Sequence, residues 1–276
     1  MAKRFAEEHQ TFKVKPTTET LALSLIIGVS VGVSAGYLGS LMVLKKMALV
    51  GDALSHVALP GLALGILFNF DPFLGAFAFL FGATVIVWHL GRVTKLSFET
   101  IVGTMFTFAL AIGILIIPAP DLLEALFGDI TKVTLIDTIV AVIISVGAIV
   151  LTRLIYKKLV LGMISEELAI SKGIRVARIN LLYLLLVSLV VAVGKKIVGT
   201  LLVGFLVIVP AAAAKNLSYD LFRYSLLSAI LGAVSVVAGI LSSAYLALPH
   251  TDTGPLIVIS GIIAFGITVL IKWKTK

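Results

Sequence analysis

The sequence predicts an all-α fold, a polytopic bundle of transmembrane helices with about nine spans and eight as the alternative, functional as a dimer. Three observations carry the prediction of a bundle. Hydrophobic residues make up 60% of the 276 positions and charged residues only 13%, whereas soluble domains carry about a quarter charged residues. The apolar residues are gathered in runs of roughly 20, the length a helix needs to cross the hydrocarbon core. The basic residues stand in ones and twos between those runs, so the formal charge of +8 reads as a topology signal and not as a nucleic-acid footprint.

Residues 1–20 form a polar or interfacial tail with four Lys or Arg, three Glu and one His. The apolar run behind it continues to Leu44, longer than the core of a cleavable signal, so the first span is expected to stay attached. Residues 21–276 read as one transmembrane domain, with charge-poor windows at 21–44, 47–68, 70–90, 100–118, 134–156, 176–194, 197–214, 222–248 and 255–271. The window 197–214 is short and contains Pro210, so it is either a broken or a re-entrant helix, tolerable where protein satisfies its backbone. With the amino terminus outside, 15 of the 22 Lys and Arg fall on inner connections. Lys195 and Lys196 fit that arrangement worst, because it leaves them on an outer turn.

Two connections are long enough to have structure of their own. The outer loop 119–133 reads as a short surface helix ending in Phe127, Gly128 and Asp129. The inner loop 157–175 contains Ser165, Glu166, Glu167, Leu168, Ala169, Ile170, Ser171, Lys172 and Gly173. Ser165 suits the cap of a short helix, the two acids suit its positive end, and Gly173 suits its termination. Such a helix is either a handle for a soluble partner or a solvated loop element.

Asp52 and His56 interrupt the second window. At a spacing of four they share one helix face, with Cβ atoms about 6 Å apart. Ionisable groups inside a membrane are costly unless paired or wetted, and so mark a functional path by default. The alternative is a neutral pair, Asp hydrogen-bonded to His, that holds helices together. Cysteine is absent, so any metal must be held by His, carboxylate or backbone oxygen. A carboxylate with an imidazole suits Zn²⁺ or Mn²⁺ and suits Cu(I) poorly. Two ligands make a weak site, but a symmetric dimer with this helix on the two-fold axis would supply two Asp and two His. Neutral His and ionised Asp are the binding forms, so acidification should weaken binding. Pro60 removes one helical hydrogen bond nearby, which either frees a carbonyl for a cation or only kinks the helix. His250 and Asp252 fall at the expected outer mouth, either as a capture point for metal or as a polar loop. His89 beside Trp88 reads as an interfacial anchor.

These residues resemble the membrane permeases of the ABC-type zinc and manganese importers that work with a cluster A-I binding protein. The resemblance runs from about Leu21 to the carboxyl end. It is carried by Gly39-Ser40-Leu41-Met42-Val43-Leu44-Lys45-Lys46-Met47, Gly51-Asp52-Ala53-Leu54-Ser55-His56 and Pro60-Gly61. Further matches are Leu126-Phe127-Gly128-Asp129, Ser165-Glu166-Glu167-Leu168-Ala169 with Gly173-Ile174, Val198-Gly199-Thr200-Leu201-Leu202, and Pro210-Ala211-Ala212-Ala213-Ala214.

The resemblance implies a multi-pass protein of the plasma or inner membrane, paired with a second permease copy. It implies two copies of a cytosolic ATP-binding subunit and an extracytoplasmic metal-binding protein as partners. It assigns Asp52 and His56 to the metal path, and Glu166, Glu167, Leu168, Ala169 and Gly173 to coupling with the ATPase. It implies no intrinsic cofactor: Zn²⁺ or Mn²⁺ is cargo, and ATP binds the partner. The outer loop 246–254 is longer and more polar than the family's turn, so residues of the mouth do not carry over.

The chain is expected not to be an enzyme, since it contains neither a Gly-x-x-x-x-Gly-Lys-[Ser/Thr] phosphate loop nor a His-Glu-x-x-His zinc motif. The main rival function is a gradient-driven cation transporter or channel that uses Asp52 and His56 as a relay.

Overall fold

The computed structural model describes residues 18–94, 96–116, 133–198, 200–246 and 253–274. Regular structure among them is entirely helical. The helices are α1 Thr18–Leu44, α2 Ala48–Leu67, α3 Pro72–Val93, α4 Phe98–Ile116, α5 Leu135–Ile164, α6 Glu166–Ser171, α7 Val176–Val198, α8 Thr200–Leu217, α9 Leu221–Leu246 and α10 Thr253–Lys274. Eight are long and apolar enough to cross a membrane. The window expected at 197–214 forms α8 instead, a helix with Pro210 inside and a shorter apolar stretch, Leu202–Leu217.

Caps mark several helix ends. Asp71 accepts from the Phe73 amide at 2.8 Å, with Pro72 opening α3. Thr134 and Asp137 form a reciprocal capping box at the start of α5. Two elements differ from the hydropathy windows. Helix α5 continues through Lys157 and Lys158 to Ile164 because lysine is a good helix former, both lysines are exposed, and Leu159 beside them is buried. Helix α7 likewise continues past Gly194, so Lys195 is not on an outer connection as expected but inside a helix and buried.

Close approach and hydroxyl bridges hold the bundle together, as they must where lipid is as apolar as leucine. Helices α1 and α9 run antiparallel in contact: a Cβ on Gly32 would lie 2.9 Å from the Gly232 carbonyl oxygen. Ser40 Oγ donates to Ser225 Oγ at 2.9 Å across the same pair, and Ser228 Oγ donates to the Gly36 carbonyl at 2.6 Å. Thr84 and Ser188 join α3 to α7 at 2.6 Å. The fully buried Tyr183 donates its hydroxyl to the Leu38 carbonyl at 2.6 Å, joining α7 to α1.

Helix α2 is the most internal of the spans: 67% of its apolar window is buried, against 22% for α4 and for α10. The exposed apolar side chains, such as Leu115 of α4, Ile143 and Leu154 of α5 and Ile263 of α10, belong on the lipid side. The helix that carries Asp52 and His56 is therefore enclosed by its neighbours.

Candidate functional site

The site helix begins at a tight corner. After α1, Lys46 takes a positive φ of 59°, the Met47 amide returns to the Met42 carbonyl at 2.9 Å, and α2 starts at Ala48. Asp52 and His56 follow within two turns. His56 Nε2 stands 4.0 Å from Asp52 Oδ1, beyond hydrogen-bonding distance. The neutral hydrogen-bonded pair considered from sequence is thus not what these two side chains form. His56 Nδ1 is buried and has no hydrogen-bond partner. The two side chains are unequally open: Asp52 is 41% exposed and His56 14%. Leu49, one turn before Asp52, is exposed on the same face. An open stripe through Leu49 and Asp52 therefore interrupts an otherwise enclosed helix.

Neighbouring helices fix the walls. On α4, Phe106 meets the His56 ring edge to face, centroids 5.1 Å apart and planes at 85°. On α8, Gly204 lies so close to Asp52 that any Cβ there would strike the carboxylate. Val207, one turn further on, packs at Gly51. Pro60 has no amide proton, so the His56 carbonyl lacks the donor that a regular helix supplies four residues on. Lys195 of α7 is 6% exposed and its Nζ has no hydrogen-bond partner. Among the described residues, no group of three or more His, Asp or Glu could hold a metal ion. A cleft of about 610 Å³ between α2, α3 and α4 is lined by apolar residues such as Val57, Phe79 and Met105 and offers no carboxylate or imidazole.

The segment after α5 folds as its residues suggest. Ser165 accepts from the Leu168 amide at 3.2 Å and opens α6. Gly173 closes it with a positive φ of 73°, its amide reaching the Ile170 carbonyl at 2.8 Å. Glu166, Glu167, Leu168 and Ile170 are exposed, while Ala169 is buried. Lys45 Nζ donates to Asn180 Oδ1 at 2.6 Å and sits 5.6 Å from the centre of the Tyr183 ring. Burial lowers its pKa to about 8, and the nearby charge of Glu166 acts the other way.

Other expectations distribute as follows. His89 is exposed near the end of α3, while Trp88 donates its indole N–H to the Ala177 carbonyl at 2.9 Å. His250 and Asp252, the outer segment with Phe127, Gly128 and Asp129, and the amino-terminal tail before Thr18 lie outside the described residues. Sequence reasoning missed Phe106 and Gly204 as neighbours of the pair and placed Lys195 on a turn. A glycine inside an apolar helix, as at Gly204, does signal close approach. Nothing local signals Phe106.

The family model for the ABC 3 transport family matches residues 17–272. The manganese transport system membrane protein MntC of Listeria monocytogenes is 32% identical over 224 residues, 80% of either chain. The manganese import system permease protein ScaB of Streptococcus parasanguinis is 30% identical over 257 residues, 92% of this chain and 91% of that one. The high-affinity zinc uptake system membrane protein ZnuB of Haemophilus influenzae is 32% identical over 256 residues, 90% and 95% of the two chains. Among solved structures, PsaBC from Streptococcus pneumoniae in complex with Fab matches with a TM-score of 0.78 at 29% identity, covering 97% of this chain and 95% of that one. With its helical bundle, eight apolar spans among its described residues and a family match along nearly its whole length, this chain is a multi-pass membrane permease that belongs to the ABC 3 transport family.

Proposed function

We propose that this permease passes Mn²⁺ or Zn²⁺ inward for an ATP-driven importer, with Asp52 and His56 of two copies meeting to enclose one ion. The observation that carries this reading is the state of the pair: carboxylate and imidazole face one another at 4.0 Å, and the remaining ring nitrogen is unpartnered. A tetrahedral ion with bonds of about 2.0–2.1 Å holds two ligands roughly 3.4 Å apart, so a small closure brings both into reach. One copy supplies too few ligands among the described residues. The open Leu49 and Asp52 stripe is the face on which a two-fold partner would complete the set.

The cargo follows from the relatives, whose names include both manganese and zinc systems. Energy comes from a separate ATP-binding subunit, seated on α6 through the exposed Glu166, Glu167, Leu168 and Ile170. An extracytoplasmic binding protein delivers the ion, and closure of the ATPase moves the inner helices to release it. Family membership sets the gradient-driven relay aside.

The test is metal uptake by proteoliposomes containing the assembled transporter. Asp52→Asn and His56→Ala should each abolish ATP-dependent uptake while the permease still co-purifies with its ATPase. Uptake at the wild-type rate in both variants removes the two residues from the path.

A further inference from the structure

Lys195 is the one charged side chain in the buried set among the described residues. A buried ammonium within a membrane bundle costs several kcal/mol unless something compensates it, and this one has no hydrogen-bond partner. Its position narrows what that compensation can be. Helix α7 packs against α2. Beside Lys195, a Cβ on Gly194 would lie 2.7 Å from Val203 of α8 and 3.0 Å from Val31 of α1. The residue after Val203 is Gly204, whose backbone lies against the Asp52 carboxylate. Lys195 thus emerges at the level of the ion site. Among the described residues, Asp52 is also the one acid lying beyond the first turn of a spanning helix. Among the described residues the bundle therefore holds one buried lysine without a hydrogen-bond partner and, on the open stripe of α2, one acid whose counter-ion is absent until cargo arrives.

We propose that Lys195 is a tethered counter-cation of the empty Asp52 and His56 site, balancing its charge when no metal is bound and yielding when a divalent ion enters. This rests on the reading of that pair as the metal site. The physical logic is charge conservation over the transport cycle. A carboxylate stripped of its ion would attract protons or monovalent cations. An ammonium on a flexible stem can fill that role and then retreat by rotation about its side-chain bonds. Lys195 is accordingly a positioning and specificity residue, lowering the site's affinity for the incoming ion by repulsion and keeping weaker competitors out.

The charge coupling is tested without transport. Purified full-length permease in lipid nanodiscs, stripped of metal, is melted as wild type, Lys195→Met, Asp52→Asn and the double variant. Each single change leaves one uncompensated charge, so each should lower Tm, and the double variant should recover much of the loss. Equilibrium dialysis with Zn²⁺ supplies the second reading: Lys195→Met should bind about tenfold tighter or more, and Lys195→Arg within about threefold of wild type. Should the Met variant fail to assemble, Lys195→Gln takes its place in both measurements. Strictly additive Tm losses, or Zn²⁺ binding by the uncharged variant within about twofold of wild type, overturn the proposal. Equal Zn²⁺ binding by wild type and Asp52→Asn would instead sink the ion site itself, which separates the two failures.

Discussion

Lys45 ties the corner before the site helix to α7, donating a 2.6 Å hydrogen bond from its Nζ to Asn180 Oδ1. The same ammonium lies over the Tyr183 ring and feels the charge of Glu166 in α6. One side chain thereby links α6, α7 and the start of α2.

Burial lowers the Lys45 pKa from 10.5 to about 8, with Glu166 opposing the shift. A lysine that releases its proton more readily in the folded state leaves the unfolded state holding more protons between those values, so stability rises with pH across that window. The Tm of the wild type relative to Lys45→Met should therefore climb between pH 8 and 10.5. A flat difference across that range contradicts this environment for Lys45.

Gly204→Ala should weaken metal binding at least tenfold, about 1.4 kcal/mol. On propensity alone, alanine would stabilise the interior of α8 by about 1 kcal/mol. At this position its Cβ would strike the Asp52 carboxylate and displace it. Equilibrium binding and Tm should therefore move in ways that propensity does not explain. Unchanged affinity would mean that Asp52 is not held against α8.

Tyr183→Phe should lower stability by about 0.6–1.5 kcal/mol. The hydroxyl removed is fully buried and bonded to the Leu38 carbonyl at 2.6 Å. Since Lys45 rests against the same ring, which phenylalanine retains, metal binding should remain intact. A melting curve paired with a binding isotherm separates the two effects.

Ser165→Ala removes the side chain that caps α6 and should cost about 1 kcal/mol, felt locally. Hydrogen exchange should speed at Leu168 and Ala169, whose amides bond to Ser165 Oγ and to the Ser165 carbonyl respectively. ATPase stimulation by metal should fall while metal affinity stays the same. Unaltered exchange would show that packing of Ala169 holds the helix without its cap.

Most of the helix pattern was legible in the sequence because lipid imposes a length and a polarity that composition must meet. Asp52 and His56 stood out for the same reason. Lys195 stood out only as a poor fit to the topology and not as part of the interior, since a charged residue near the end of an apolar window reads as a loop until packing shows α7 continuing past it. The extension of α5 through Lys157 and Lys158 escaped for a related reason: hydropathy detects the end of the membrane, not the end of the helix. The contacts of Phe106 and Gly204 with the pair depend on how α4 and α8 fall around α2, which no local pattern encodes.

The enclosure of α2 has a mechanical consequence. A helix with most of its surface against other helices receives force from them and little from the acyl chains around the protein. Changes in bilayer thickness or fluidity act first on α4, α5 and α10, whose apolar side chains lie outside. The helix that carries Asp52 and His56 is thus insulated from the membrane it crosses, and its position is set by Gly204, Phe106 and the Lys45 corner. A pump built this way should keep its affinity for metal nearly constant as the lipids change, while its turnover varies with them.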